Sequence, residues 1–202
     1  MKQHYDNMEY AKVCLSTLHW FSWLSGSYLQ LCKDRLYCDH AHSVSRHSGV
    51  SSMVQVTRSL TSVLAPVLPH LCHEVCSAAP VLPSPFTSGW SCDDQWSGDD
   101  EFRSVVTTLE TLREELNKSQ EKLGDCDVVV SVDDGVMETL SRVDTDQVAE
   151  VLGVLRVRLE PGDQVTVVSV SRSSGAACVR CRRLTSAPGQ ELCDRCHYVV
   201  NN

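Results

Sequence analysis

Four cysteines near the C-terminus have the residue type and spacing of a metal site. Cys178 and Cys181 are separated by two residues, and Cys193 and Cys196 repeat that spacing after a gap of eleven residues. Each pair can place two thiolates on one tight turn, and two such turns supply the ligands of a closed tetrahedral site. The spacing therefore predicts one structural Zn²⁺. Four thiolates could also hold a single iron ion, and His197 is interpreted as a bystander because the thiols already complete the tetrahedron.

The remaining cysteines do not form a disulfide framework. The chain has 11 cysteines, an odd number, and the seven outside the tail are scattered among largely apolar neighbours. A free cysteine in such surroundings behaves as a small hydrophobic residue. This usage indicates a reducing compartment, in which a four-thiol cluster binds metal rather than forming disulfides.

Other catalytic motifs are absent from the sequence. It contains no glycine-rich phosphate loop and no Gly-x-Ser-x-Gly nucleophile motif. Residues 38–42 include two histidines and an aspartate, which we interpret as a solvated loop, and His73 and Cys76 as packed residues on a helix. Asp133 is expected to cap a helix after a strand, since an Asp side chain accepts backbone N–H groups there. No catalytic residue is predicted.

Charge is distributed unevenly along the chain. The net charge is −8, and residues 93–150 carry 17 acidic against 5 basic side chains. RNA phosphates require Lys and Arg, so any nucleic-acid contact is expected in the N-terminal part or the tail. No run of 18 apolar residues occurs and the first residues do not resemble a signal or transit peptide, so we expect no membrane partner.

Periodicity predicts a mainly helical protein. Apolar residues at three- and four-residue steps predict helices over 8–38, 50–65 and 69–78. Trp20 and Trp23 widen the apolar face of the first helix, so a second helix must cover it. Residues 40–49 are predicted as a loop and 79–98 as an irregular linker with Trp90 and Trp96. A third long helix is predicted from Asp99 to about Leu123, with Gly124 as its C-cap.

A small α/β segment is predicted before the cysteines. Residues 128–132 form a strand, two short helices follow at about 135–142 and 145–152, and residues 154–159 and 165–170 form a hairpin around Pro161 and Gly162. The predicted fold class is mainly α: a helical bundle, a small α/β connector and a C-terminal zinc ribbon. The predicted domains are residues 1–98, 99–175 and 176–202.

Several strings together resemble the anticodon-binding domain of isoleucyl-tRNA synthetases. Residues 28–37, Tyr-Leu-Gln-Leu-Cys-Lys-Asp-Arg-Leu-Tyr, are similar to a helix end of that domain. Residues 64–71, Leu-Ala-Pro-Val-Leu-Pro-His-Leu, with Glu74, and the Ser-to-Trp stretch at 84–90 are similar to its later segments. Residues 178–196 resemble the zinc finger that ends the bacterial and mitochondrial enzymes. The departures are Val75, where a second Glu is usual, and Val179, where a Pro is common.

The resemblance implies a role in tRNA binding. The full enzymes join isoleucine to tRNA using ATP, but their catalytic core and its signature motifs are not in these 202 residues. The chain alone is therefore expected to be inactive. The expected partner is tRNA-Ile through its anticodon stem-loop, with the protein a monomer, mitochondrial if eukaryotic and otherwise cytoplasmic. The expected tRNA-binding residues are Lys33, Arg35, Arg46 and Arg58 in the helical part, and Arg180, Arg182, Arg183 and Arg195 in the tail.

Two alternative roles that do not involve RNA remain open for these cations. Lys33 and Arg35 could form ion pairs inside the helical part, since guanidinium groups favour carboxylate partners, and the tail arginines could form a solvated surface. Two other functions are also possible: a non-catalytic module whose zinc ribbon binds protein, and, less favoured, a DNA-repair zinc finger.

Overall fold

The computed structural model describes residues 1–88, 100–118 and 122–201. The part of the predicted irregular linker that contains Trp90 and Trp96 lies outside the described residues, and so does the predicted helix start at Asp99. Contacts between Cα atoms divide the chain into an N-terminal unit, Met1–Trp96, and a C-terminal unit, Ser97–Asn202. Most of the described secondary structure is helical, and it is accompanied by one three-stranded sheet. The prediction of a mainly α fold is therefore confirmed, whereas the zinc ribbon stays a prediction.

The described part of the N-terminal unit, residues 1–88, contains five α-helices. They are α1 (Lys2–Asp6), α2 (Tyr10–Trp23), α3 (Leu29–Cys38), α4 (Val44–Leu64) and α5 (Pro69–Ala78). Residues Leu24–Tyr28 form a π-helical segment that joins α2 to α3 without a break. The segment reads Leu-Ser-Gly-Ser-Tyr, in which serine and glycine are weak formers of regular α-helix.

The loop predicted over residues 40–49 is wrong, because α4 already begins at Val44. The Ser43 hydroxyl accepts a hydrogen bond from the backbone N–H of Arg46 at 3.2 Å and so caps the helix. Gly49 is buried, and a Cβ there would meet the side chain of Arg35 at 3.1 Å. The missing side chain allows α4 to approach α3 closely, and this packing holds a polar sequence in a helix.

The apolar stripe predicted on the first helix is largely uncovered. The buried residues of α2 are Val13 and Thr17, whereas Leu15 and Leu18 are 66% and 65% exposed. Phe21 is also exposed. Periodicity reports which residues are apolar, but not whether another element covers them. Among the described residues these three α2 side chains stay exposed, whereas Leu24 is buried and α3, the second half of the predicted helix, packs on α4.

The C-terminal unit contains the sheet and a layer of helices. Its elements are α6 (Asp100–Asn117), β1 (Cys126–Val132), α7 (Asp134–Leu140), α8 (Thr145–Leu152), β2 (Arg156–Pro161), β3 (Thr166–Arg172) and α9 (Asp194–Asn201). The predicted end of α6 near Leu123 is wrong. The helix ends at Asn117, and Leu123–Asp125 forms a 3-10 turn that leads into β1.

The predicted β2–β3 hairpin is also wrong, although both strands exist. The strand order is β2-β1-β3, with β1 parallel to β2 and antiparallel to β3. Alternate residues of β1 are almost fully buried, so this strand takes the centre and has a neighbour on each side. Helices α7 and α8 provide the crossover that a parallel pair needs. The backbone N–H of Gly162 donates to the Val132 carbonyl at 2.9 Å, where the chain leaves β2 for the opposite edge.

The core of this unit lies between the sheet and α6–α8. Four residues of β1 pack against α8 and against the buried residues of α6, which are Val105, Leu109, Leu112 and Leu116. Each buried Val or Leu contributes about 1.5–3 kcal/mol to the free energy of folding. Asp133 caps α7 by accepting the backbone N–H of Val136 at 3.0 Å, which confirms its predicted capping role. Gly153, with φ 74°, ends α8 in the left-handed conformation.

Candidate metal centre and nucleic-acid contacts

The structure brings the four tail cysteines together. Cys178 and Cys181 lie in an irregular turn, Cys193 directly precedes α9, and Cys196 lies in its first turn. The four Sγ atoms all lie within 4.8 Å of one another, and those of Cys181 and Cys193 are 3.9 Å apart. Within the described ranges, these cysteines are the group of three or more potential ligands that lies close enough to hold one metal ion.

Backbone N–H groups surround the sulfur atoms. The N–H of Cys193 donates to Cys178 Sγ at 3.4 Å, and the N–H of Arg182 donates to the Cys178 carbonyl at 2.8 Å. Arg182 has φ 61°, which closes the first turn tightly. The N–H of His197 donates to the Cys193 carbonyl at 2.8 Å and closes the second turn. An N–H that donates to sulfur, as that of Cys193 does, stabilises the thiolate, the form that binds metal.

The thiols differ in acidity. Burial opposes ionisation of Cys178, but backbone N–H groups of residues 181, 193 and 180 outweigh it and lower its pKa to about 5. The pKa of Cys193 is also lowered, against burial, chiefly by the backbone N–H of Cys196. Burial raises the pKa of Cys196 to about 12, and its neighbouring thiols add to that rise.

These residues fit a four-coordinate metal ion. Tetrahedral coordination with metal–sulfur bonds of about 2.3 Å separates sulfur atoms by about 3.8 Å, close to the observed 3.9 Å. Three of the four cysteines are buried, and the half-buried residues packed on them are Cys181 and Leu192. Because the tail has so small an apolar core, a bound ion would supply much of its folding energy. Four protein ligands leave no open coordination position, so the site suits structure rather than catalysis.

Three of the four tail arginines interact with other residues of the protein. Arg180 donates to Cys196 Sγ at 3.5 Å, and Arg183 donates to the carbonyls of Val154 and Leu155 at 3.0 and 3.2 Å. Arg182 is exposed, and the described residues provide no partner for its side chain. Arg195 is half-buried and takes part in a contact. The four predicted phosphate contacts are therefore in unlike environments.

The cations of the N-terminal unit do not form one cluster. Lys33 is exposed and donates to Gln30 at 2.7 Å. The stem of Arg35 lies over Gly49, and its charge partly offsets the rise that burial causes in the pKa of Tyr28. Arg46 and Arg58 each have a buried Nε atom that lacks a hydrogen-bond partner. They lie twelve residues apart on α4, which is about 18 Å along a helix.

Histidines near the start of α4 lie close together without forming a ligand group. The ring centroids of His40 and His42 are 5.5 Å apart, and those of His42 and His47 are 6.3 Å apart. His47 Nε2 pairs with the Ala41 carbonyl, and His40 Nδ1 accepts the N–H of His42. On α5, His73 is exposed and Cys76 half-buried, so His73 is not packed as predicted.

A shallow cavity of about 510 Å³ lies beside the second cysteine pair. It is lined by Gln190, Glu191, Leu192, Asp194 and His197. Two carboxylates at this opening disfavour a phosphate group there. A nucleic-acid backbone would therefore meet the tail on its arginines rather than at this cavity.

Two supporting residues were not predicted from the sequence. Thr185 forms a side-chain hydrogen bond with Cys193 that favours the thiolate. A Cβ on Gly175 would overlap the carbonyl oxygen of Leu184, so the entry to the cysteine turn requires glycine. A lone glycine before the motifs, or a lone threonine between them, carries no local sequence signal, because its role depends on a contact with a residue several positions away.

Comparison with known protein families defines the class of this chain. The family model described as the anticodon-binding domain of tRNA ligase matches residues 1–130, well over half of the sequence, and the chain belongs to that family. The matched residues include the whole N-terminal unit and extend into β1. The four cysteines lie beyond the match.

Individual relatives are isoleucine–tRNA ligases. The enzyme of Campylobacter curvus (strain 525.92) is 28% identical over 200 residues, covering 89% of this chain and 21% of that protein. The mitochondrial enzymes of Mus musculus and Saccharomyces cerevisiae are each 25% identical, over 219 and 234 residues, covering 88% and 100% of this chain. The chain spans about a fifth of the length of these relatives. No described helix has the length and apolar character to cross a bilayer.

Proposed function

We propose that this chain is the tRNA-binding C-terminal region of an isoleucine–tRNA ligase. The observation that supports it best is the combination, in one chain, of an anticodon-binding domain over residues 1–130 and a four-cysteine cluster behind it. The isoleucine–tRNA ligases named above align with 88–100% of the chain, and the alignment with the Saccharomyces cerevisiae mitochondrial enzyme covers all of it, the cluster included. In the proposal, residues 1–98 form the anticodon-binding domain, 99–175 a connector and 176–202 the zinc finger.

The cysteine cluster binds one structural Zn²⁺ in this proposal. Its four ligands are Cys178, Cys181, Cys193 and Cys196, whose sulfur spacing fits tetrahedral coordination. The ion fixes two turns that have almost no apolar core, and it takes no part in chemistry. Four thiolates with Zn²⁺ carry a net charge of about −2. Contact with RNA therefore depends on where individual arginines lie.

In the N-terminal unit, Lys33, Arg35, Arg46 and Arg58 contact the tRNA. The Nε atoms of Arg46 and Arg58 are buried and have no partner among the described residues, but both side chains are half-buried overall. In this proposal the outer guanidinium nitrogens of the two arginines reach phosphate or base oxygens. In the tail, exposed Arg182 is a better candidate than Arg180 and Arg183, which already donate to Cys196 and to two carbonyls, and than half-buried Arg195, which already takes part in a contact.

Joining isoleucine to tRNA with ATP is assigned to the longer protein. This chain spans about a fifth of the relatives, so we expect no isoleucyl-adenylate formation from it alone. We further propose that it is a monomer, that its tRNA is tRNA-Ile, and that it acts in the mitochondrial matrix if eukaryotic and in the cytoplasm otherwise.

Fluorescence anisotropy with labelled tRNA tests the proposal. The zinc-loaded chain should bind tRNA weakly, and affinity should fall steeply with salt because phosphate contacts release counterions. Arg58→Gln should weaken binding, whereas Arg142→Gln, which removes one charge from an exposed i,i+4 ion pair, should not. Equal binding of a polyanion such as polyglutamate would contradict specific tRNA recognition.

A protein-interaction module is the second candidate. The observation that favours it is the apolar face of α2, where Leu15 and Leu18 are about two-thirds exposed. Contiguous exposed apolar residues commonly mark protein contacts. Leu18→Glu should abolish protein capture but leave tRNA binding intact if this face serves only a protein partner.

A further inference from the structure

The Arg183 side chain bonds to the segment between α8 and β2, outside the cysteine tail. Its guanidinium donates to the carbonyls of Val154 and Leu155 at 3.0 and 3.2 Å. These residues directly follow Gly153, the left-handed C-cap of α8, and both are buried. A buried backbone carbonyl needs a hydrogen-bond donor, and a guanidinium, which donates through several N–H groups, can serve two adjacent carbonyls at once.

The backbone of the same residue belongs to the cysteine turn. The Arg183 carbonyl accepts the N–H of Cys178 at 3.0 Å and the N–H of Thr185 at 2.9 Å. Cys178 is a predicted metal ligand, and Thr185 bonds to the Cys193 thiol. Arg183 thus joins two regions: its carbonyl holds the metal-binding turn, and its side chain holds the α8–β2 junction.

The α8–β2 junction is in turn bonded to the centre of the sheet. The Leu155 N–H donates to the Cys126 carbonyl at 2.8 Å, and Cys126 opens the central strand β1. The Val154 N–H donates to the Ala149 carbonyl at 3.0 Å within the C-cap of α8. A change in the position of Arg183 therefore reaches backbone bonds that hydrogen exchange can follow.

We propose that Arg183 is a positioning residue that couples the metal centre to the α/β connector. With the ion bound, the turn fixes Arg183, and its guanidinium keeps the tail seated on the α8–β2 junction. Exposed Arg182 precedes it in the chain and is held in place by the same contacts. The inference rests on metal binding as proposed above, but not on tRNA as the ligand. It removes Arg183 from the set of direct phosphate contacts.

Hydrogen–deuterium exchange of the full chain, with and without EDTA, tests the coupling. Arg183→Met removes the guanidinium but keeps a long stem, and Arg182→Met is the control with the same loss of charge. In zinc-loaded protein, Arg183→Met should keep one zinc per chain. Amides of residues 153–156 should nevertheless exchange about tenfold faster than in the unmodified chain, since a charge-assisted hydrogen bond is lost. Arg182→Met should leave this exchange unchanged.

The response to EDTA distinguishes coupling to the metal from a hydrogen bond of Arg183 that stabilises the α8–β2 junction whether or not metal is bound. Metal removal should accelerate exchange at residues 153–156 in the unmodified chain, but add little in Arg183→Met, because the link is already broken. An equal acceleration by EDTA in both proteins would overturn the proposal, as would unchanged exchange in zinc-loaded Arg183→Met. If Arg183→Met fails to fold, Arg183→Lys replaces it, and exchange as slow as in the unmodified chain would then overturn the guanidinium's role.

Failure of the proposed function gives a different result. A chain that binds no zinc refutes the metal site and the coupling together, whatever its exchange pattern. A chain that binds zinc and shows the coupling, but has no affinity for tRNA, refutes the tRNA proposal and leaves Arg183 as the positioning residue.

Discussion

Cys181 Sγ lies 3.9 Å from Cys193 Sγ, although the two residues are twelve positions apart in the chain. Backbone bonds produce this approach: Ala176 pairs with Ser186, and the N–H of Val179 donates to the Glu191 carbonyl at 2.9 Å. Gly189, with φ 83°, turns the intervening segment back. These backbone contacts align the two cysteine pairs for one ion.

Cys193→Ser should remove the metal and unfold the tail. The hydroxyl is a poor ligand for a soft site, and metal binding supplies about 10–16 kcal/mol in comparable zinc motifs. Atomic absorption should fall from one zinc per chain to none, and exchange protection should vanish over residues 176–201 while β1 stays protected. Cys76→Ser, at a half-buried thiol outside the cluster, is the matched control. Full zinc content in Cys193→Ser would refute the ligand assignment.

Gly175→Ala should destabilise the C-terminal unit. Its new Cβ would overlap a backbone oxygen, which cannot move aside like a flexible side chain. We expect a loss of about 1–3 kcal/mol in the free energy of unfolding, measured by urea denaturation. Gly26→Ala in the π-helical segment meets nothing within 4 Å and should be neutral or stabilising. Equal effects of the two substitutions would contradict the close approach at Gly175.

Leu152→Ala should cost about 2–5 kcal/mol, because Leu152 is fully buried in the core between α8 and the sheet. Val168→Ala, on the exposed part of β3, should change stability by less than about 0.5 kcal/mol. Urea denaturation of both variants measures the difference. A small effect at Leu152 would mean that the helices do not pack on this sheet.

Leu18→Glu should leave the stability of the N-terminal unit nearly unchanged, within about 0.5 kcal/mol, since the side chain is 65% exposed. Val13→Ala, on the buried face of the same helix, should cost about 1.5–3 kcal/mol. Thermal unfolding followed by circular dichroism compares the two. A large loss in Leu18→Glu would show that this face is covered after all.

Local features of the fold could be predicted from sequence because each depends on neighbouring residues. Pro69 begins α5, Asp133 caps α7, and the C-x2-C spacing places two thiols on each turn. Pairing of strands depends on distant residues instead. The turn residues Pro161 and Gly162 predicted a hairpin, but β1 is the most deeply buried strand and takes the centre, so each of its neighbours bonds to it.

The candidate site was predictable to the same degree. The four cysteines follow from spacing, whereas the tail arginines were predicted as one set because sequence shows their charge but not their partners. In the structure, Arg180 donates to a thiol and Arg183 to two carbonyls. Their partners are separated from them by 16 and 29 positions. No local pattern connects residues so far apart.

The central claim is that this chain recognises tRNA-Ile, and comparing two transcripts tests it most directly. Affinities of the zinc-loaded chain are measured at one salt concentration for tRNA-Ile and for the same transcript carrying an unrelated anticodon. Unpaired anticodon bases can be stacked and hydrogen-bonded by protein side chains, so we predict that the exchanged anticodon weakens binding about tenfold or more. Equal affinity for the two transcripts would contradict anticodon recognition by this chain.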